Sequence, residues 1–500
     1  MNKKKILIIS IIAAVVLVGV MLLLIFLPKG GSDQKASTVD EGVKLELTTD
    51  SEGVHQAEVP KDEKGEVVNN SYGTLIEYYP ADISVIHVEN AKGTLDVLSN
   101  TPKGEATIYT IKGYEDFDQQ AGVADLIASS ASKLSFEKVA GVDQNGSSDF
   151  GFDDPRSIVT VTYTDKTKSI ITVGADAPQS AGTYIKFGDG DEIFLVDTET
   201  AAPFDYGLTD FISLSINKSA DSVEEDQASS ITLETDGQKI VLEPYTGERY
   251  GASYEITSPR RRIANESESS KVAGGIRGLY ALRVLMVNPS DSQLDKLGLS
   301  KPHAAIEAVY PDTTVGYYAT APNSDGEVVL MEKGGRVVYA VAADKVTWAS
   351  TNYEKLCSEY VLYPKMTALT GMKVESGESY SFELSSKEVV TTDNDGNENT
   401  STNTSVFYGG KEIQLGDFSA YYDEVSLIEL ADAKEESVSG KPELTVTYSY
   451  SDGGSDAVEF YPSEGNRYTA VLNGEVIGRA NKADVTRAAN GAKETAEKAN

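Results

Sequence analysis

One cysteine and three histidines are all that 500 residues offer of the side chains that most often ligate metals or pair as nucleophile and base. A lone Cys357 excludes a disulfide within the chain and any zinc site built from four thiolates. His55, His87 and His303 lie far apart in the sequence, and no His-Glu-x-x-His string occurs. Serine-hydrolase chemistry lacks its Gly-x-Ser-x-Gly pentapeptide, and nucleotide handling lacks a Gly-x-x-x-x-Gly-Lys-Ser/Thr loop. Positive charge is also scarce: 44 Lys+Arg stand against 78 Asp+Glu, a net charge of −34 that repels a phosphate backbone. These absences predict a protein that binds without catalysing, is not an enzyme, needs no cofactor or metal, and has no nucleic-acid partner.

What is present begins with one long apolar run. Lys3, Lys4 and Lys5 precede Ile6 to Leu27, broken only by Ser10 and Gly19 and closed by Pro28. At ~1.5 Å per residue this run reaches about 33 Å, enough to span a hydrocarbon core of ~30 Å as a helix. The leading lysines favour a cytoplasmic N-terminus. The expected order is a stub at 1–5, a transmembrane anchor at 6–27 and a flexible linker at 28–75. The run exceeds the apolar stretch of a cleaved signal peptide, so the anchor is expected to stay attached.

Beyond residue 75 the sequence repeats itself with a long period. Phe150-Gly151-Phe152-Asp153-Asp154-Pro155, followed by Ile158 to Tyr163, recurs 147 residues later as Leu297-Gly298-Leu299-Ser300-Lys301-Pro302, followed by Ala305 to Tyr310. An apolar residue, glycine, a second apolar residue and then proline spell a helix stop, and the alternating run after it spells a strand. A looser version, Lys441-Pro442 followed by Leu444 to Tyr448, comes 140 residues further on. Short β-rich runs joined by Gly and Asp turns follow each proline and predict antiparallel meanders. Opening strands are expected at Ile83–Val88, Ile231–Leu233 and Tyr380–Phe382. Apolar stripes at Val123, Leu126, Ile127 and Leu134, at Val272, Ile276, Leu279 and Tyr280, and at Phe418, Tyr421, Val425 and Ile428 predict one helix per unit. The predicted fold class is α+β: an N-terminal transmembrane helix, then tandem repeats of antiparallel β-meanders each covered by a helix. Repeat units are placed at 76–216, 217–365 and 366–480, the last divergent, with a polar tail at 481–500.

The lysine-led apolar run, the Gly-x-x-x-Pro motifs before strands, and Val173-Gly174 followed by Pro178, Gly182, Thr183 and Tyr184 resemble the bacterial family catalogued as domain of unknown function 4340. The resemblance covers roughly residues 76–365. It implies a membrane-anchored protein facing the outside, often encoded beside an ABC transporter with permease and auxiliary subunits, and it supplies no catalytic residue.

The candidate sites are few. Arg260, Arg261 and Arg262 form the one basic cluster of an acidic chain and are the candidate partner-binding residues, suited to an anionic polymer, headgroups or an acidic partner. Asp393-Asn394-Asp395-Gly396 looks like a calcium loop, but placing Gly396 sixth puts Thr391 first and Thr402 twelfth, so both end acids are missing. Cys357 reads as a small buried hydrophobe, and His303 as an exposed or capping imidazole at a strand start. The 27 tyrosines suit half-buried sheets, and exposed ones suit glycan or protein contact. The expected function is a single-pass extracytoplasmic binding or scaffold protein of the cell membrane, accessory to an ABC-type transport or envelope complex. The alternative is a surface adhesin or cell-wall polymer binder.

Overall fold

The computed structural model describes residues 43–64, 67, 72–142, 148–392, 398–434 and 436–499. The anchor predicted at 6–27 and the calcium-like loop around Gly396 lie outside them.

Three large sheets are wound in one order. In the first, Ile83–Asn90, Gly93–Asn100 and Ile108–Ile111 form one meander, and Ser157–Tyr163, Lys168–Asp176, Thr183–Phe187 and Glu192–Val196 form another. The two meanders meet through their first strands, with Ile86 opposite Val161 and Val88 opposite Val159. Lys138–Val142 crosses to the far side and pairs with Glu192–Val196. The middle sheet joins Ser230–Thr235, Gln238–Pro244, Tyr254–Ser258 and Arg262–Ile263 to Ala304–Val309, Thr314–Ala319, Glu327–Glu332 and Val337–Ala342, and Arg283–Val287 closes its far side. The last sheet joins Leu369–Ser376, Glu378–Thr392, Glu398–Tyr408 and Lys411–Ile413 to Leu444–Tyr450, Ser455–Ser463, Arg467–Leu472 and Glu475–Asn481, closed by Leu430–Asp432.

Alternation fixes which faces are buried. In Ser157–Tyr163 the residues Val159, Val161 and Tyr163 point into the core while Ile158 stays out, a period of two that sets the register. Each large sheet has its own core. Ile231, Leu233, Ile306 and Trp348 lie in the middle one, and Phe382, Phe418, Tyr448 and Phe460 in the last. A core-facing helix runs between the two meanders of each sheet, Val123–Ser132, Glu266–Gly274 and Leu415–Ser426, and the middle sheet adds the short helix Asp291–Lys296. Ile127, Ala128 and Ala131 join the first core, Val272 the middle one, and Phe418, Tyr421 and Val425 the last. The tail helix Lys482–Ala496 buries Val485, Ala488 and Ala492 in that last core.

The predicted α+β class is corrected, while the transmembrane helix predicted with it falls outside the described residues. The described residues are mostly strand, arranged in five sheets, and no helix among them is long and apolar enough to cross a membrane. Strand content was underestimated because the closing strands carry little alternation: Lys138–Val142 reads Lys-Val-Ala-Gly-Val and Leu430–Asp432 spans three residues. The apolar stripes overran the helices. Leu126 and Tyr280 are exposed, Leu134 belongs to the strand Lys133–Phe136, and Ile276 and Leu279 follow the helix end at Gly274. The last sheet opens at Leu369–Ser376 and not at Tyr380, because Gly371 and Lys373 hide the strand pattern. Within the predicted linker, Glu46–Thr49 pairs with His55–Glu58, and Leu45 and Val59 are buried in the first core.

The glycine motifs have a packing cause. Gly298 sits at φ +79° just past Asp291–Lys296, where Leu299 N–H donates to the Leu294 carbonyl at 2.9 Å, the hydrogen bond of a helix stop. In the first unit a Cβ on Gly174 would stand 2.2 Å from the Phe150 carbonyl oxygen, and one on Gly151 would stand 2.7 Å from the Ala175 nitrogen. Both positions therefore exclude any side chain, and the loop around Phe150 lies directly on the strand Lys168–Asp176.

Candidate functional site

Two junctions hold the large sheets together. Between the first and middle, Leu214 N–H donates to Gln120 Oε1 at 3.1 Å, Arg336 Nη2 donates to Asp116 Oδ2 at 2.5 Å, and the Arg336 guanidinium lies 4.1 Å from the centre of the Phe117 ring. Between the middle and last, Arg249 donates to both carboxylate oxygens of Asp452 at 2.7 and 3.0 Å and covers the Tyr450 ring at 4.5 Å. Next to it Tyr250 Oη donates to Asp456 Oδ2, and Asn473 Nδ2 donates to Asp456 Oδ1 at 2.7 Å. Burial, with Asp456 adjacent, pushes the Tyr250 phenol well above its ordinary value and keeps it a donor.

Beside this second junction lies a cleft of 530 Å³. Its spine is the connector 358–366, which is stitched to both sheets. Ser358 N–H donates to Ile263 O at 3.0 Å and Lys365 N–H to Arg249 O at 2.7 Å, while Val361 N–H donates to Ile428 O at 2.9 Å. One wall comes from the N-terminal turn of Glu266–Gly274. Asn265 caps it, accepting from Glu268 N–H at 3.1 Å, and Glu266 accepts from Ser253 N–H at 2.8 Å and Ser253 Oγ at 2.6 Å. The opposite wall carries tyrosines. Tyr360 and Tyr363 have ring centres 5.7 Å apart, Tyr363 and Tyr422 6.3 Å, and Tyr422 Oη donates to the Pro364 carbonyl. Tyr363 remains exposed, with Val361, Leu362, Met366 and Leu472 completing an apolar lining. A second cavity of 820 Å³ shares Arg262, Asn265, Ser358 and Glu359 with the first.

The structure sends the three candidate arginines in three directions. Arg260 Nη1 donates to the Val476 carbonyl of the last sheet at 3.4 Å. Arg261 makes a two-point ion pair with Glu255 at 2.8 and 3.0 Å, which raises its guanidinium pKa further. Arg262 is buried, 8% exposed, on the strand that pairs with Tyr254–Ser258, and it lines both cavities. Its Nη2 donates to the Ser358 carbonyl at 3.5 Å. Cys357 is buried, and burial pushes its thiol up from its ordinary value, away from nucleophilic use. His303 is exposed beside its strand. His87 donates toward Asp96 at 2.6 Å, and that partner raises its pKa. His55 packs beside Tyr78 and Tyr163, whose own rings stack 3.9 Å apart, and burial lowers its pKa.

The cleft itself was not legible in the sequence, because its lining comes from residues 250–267, 358–366, 422–423 and 472. The available signal was Tyr360-Val361-Leu362-Tyr363-Pro364, an apolar and aromatic stretch that forms neither helix nor strand.

Comparison with known proteins adds little chemistry. No curated protein matches the chain. Two solved sliding clamps of Pseudomonas aeruginosa are weakly similar. The DNA polymerase III subunit beta is 10% identical with a TM-score of 0.12, covering 79% of this chain and 91% of that one. The DNA polymerase sliding clamp with ligand is 9% identical with a TM-score of 0.11, covering 82% and 99%. Likenesses this low carry no argument. The family model described as Domain of unknown function (DUF4340) matches residues 111–302, from the end of the first meander of the first sheet to just before the second meander of the middle one, so over this stretch the chain is similar to that family.

Proposed function

We propose that the chain is a binding and scaffold protein that holds a partner in the cleft between the middle and last sheets. The observation that carries the reading is the tyrosine-lined cleft of 530 Å³, framed by a connector stitched to both sheets. A concave, largely apolar site with a few convergent polar groups is the usual form of a binding site. Exposed aromatic side chains give such a site much contact area at small entropic cost. The resemblance stated above supports an extracytoplasmic placement at the cell membrane and names the partner class, a permease or auxiliary subunit of an ABC-type transport or envelope complex.

A photo-crosslinking residue placed at Tyr363 in the full chain tests this in intact cells. The expected product is one adduct, containing a transporter or envelope subunit, that disappears when the crosslinker is moved to exposed Val223. Equal labelling from both positions overturns the reading. Adducts with glycan strands in place of protein favour the alternative, a cell-wall polymer binder, for which the same tyrosines supply the stacking surface.

A further inference from the structure

We infer that the cleft captures the C-terminal carboxylate of an extended partner segment whose last residue is apolar or aromatic, with Arg262 as the carboxylate receptor. This deepens the cleft-binding function proposed above and rests on it. The argument starts from a charge without a counter-charge. Arg262 is more than nine-tenths buried, its one side-chain hydrogen bond is a long 3.5 Å contact to the Ser358 carbonyl, and among the described residues it takes part in no ion pair. Burying an unpaired cation is costly, so buried arginines are normally neutralised by a carboxylate or phosphate. Its two neighbours in sequence differ: Arg261 has Glu255, and Arg260 reaches the last sheet. Arg262 instead faces both cavities, where a guanidinium presents a planar fork of donors suited to two-point contact with a carboxylate.

The lining narrows the ligand. Glu266, Glu359 and Asp423 also border the cleft, and the chain carries −34 overall, so a polyanion is repelled while a single negative charge is tolerated. Beside Arg262 the walls are Val361, Leu362, Tyr363, Tyr422 and Leu472, which suit an apolar or aromatic side chain. A chain end joins these two features on one residue, because its α-carboxylate and its side chain leave the same Cα. Capture of terminal carboxylates is a recurring mode of peptide recognition.

The test uses the full chain and two peptides, N-acetyl-Gly-Gly-Ala-Leu-Phe with a free carboxylate and the same peptide as its C-terminal amide, measured by isothermal titration calorimetry. The acid is expected to bind at least tenfold more tightly than the amide. Arg262→Met should bring the acid down to the amide's affinity, and Arg262→Lys should keep part of the preference. Tyr363→Ala should weaken both peptides together. A second readout separates a receptor from a structural arginine. Without peptide, Arg262→Met should raise the melting temperature by about 2–4 °C, because it removes an unpaired buried charge while keeping much of the volume. A lowered melting temperature with unchanged acid preference overturns the inference. Equal binding of acid and amide, both sensitive to Tyr363→Ala, also overturns it while leaving the cleft-binding function standing. If neither peptide binds and the Tyr363 crosslink is specific, the carboxylate assignment alone falls.

Discussion

Removing one hydroxyl at the junction of the middle and last sheets tests whether the two fold as a coupled pair. Asp456 is buried, and its carboxylate accepts from Tyr250 Oη on one oxygen and from Asn473 Nδ2 at 2.7 Å on the other. Tyr250→Phe keeps the ring, which lies 6.4 Å from Tyr450 edge-on, but deletes the donor. The abandoned oxygen then has only the Arg249 guanidinium, 3.7 Å away, as a polar neighbour across the junction. A hydrogen bond to a charged group contributes about 1.5–3 kcal/mol, and leaving a buried acceptor unmet costs a similar amount, so the variant should lose about 2 kcal/mol. Asp456→Asn in the same background should recover part of the loss, because the neutral amide is cheaper to leave unpaired. The assay is urea unfolding followed in parallel by Trp348 fluorescence and far-UV circular dichroism. Trp348 is buried in the middle core, stacked against Tyr317, so it reports the middle sheet alone, while dichroism reports every sheet. The two signals should coincide in the wild type and separate in Tyr250→Phe. A loss under about 0.5 kcal/mol, with the signals still coincident, would refute the idea that this contact couples the sheets.

Three further outcomes follow from particular residues. Gly174→Ala places a Cβ 2.2 Å from the Phe150 carbonyl oxygen, so the loop must move off its strand, at a cost of about 1–3 kcal/mol by thermal melting; a change within 0.3 kcal/mol would contradict the close approach. Ile306→Ala empties space at the centre of the middle core and should cost about 2–5 kcal/mol, seen as a fall in the urea midpoint read by Trp348. Burial lowers the His55 pKa from 6.5, so the unfolded chain takes up this proton first as pH falls. Its contribution is therefore complete above pH 6.5 and is lost as pH drops through the lowered folded value. His55→Gln should remove that loss, and the gap between variant and wild-type melting temperatures should change between pH 7.5 and pH 5; a constant gap would show that His55 does not titrate differently on folding.

The sequence revealed the parts of the fold that obey local rules. Ile158 to Tyr163 alternates cleanly and is a strand with one buried face. Leu297-Gly298-Leu299 ends a helix through the left-handed glycine that its spelling implies. Elements whose shape is imposed from outside were hidden. Leu369–Ser376 holds Gly371 and Lys373 yet lies between two strands that dictate its conformation. The sequence grouped Arg260, Arg261 and Arg262 as one basic patch because adjacency was the only information available. In the structure they diverge, since neighbouring residues on a short extended segment face different elements. The cleft was beyond reach for the same reason: no local pattern records that a connector will be stitched to two sheets at once.

The seam along which each large sheet joins its two meanders constrains how the chain acquires its shape during synthesis. The partners at the seam begin at residues 83 and 157, 230 and 304, and 369 and 444, so every first meander is finished well before its mate is made. Until then it presents an open row of backbone donors and acceptors together with half a core, a ready template for pairing with the wrong chain. Such long-range closure is slow. A polypeptide built this way gains from being kept extended until a complete module has emerged, and conditions that stall it midway between the two halves are where it should aggregate.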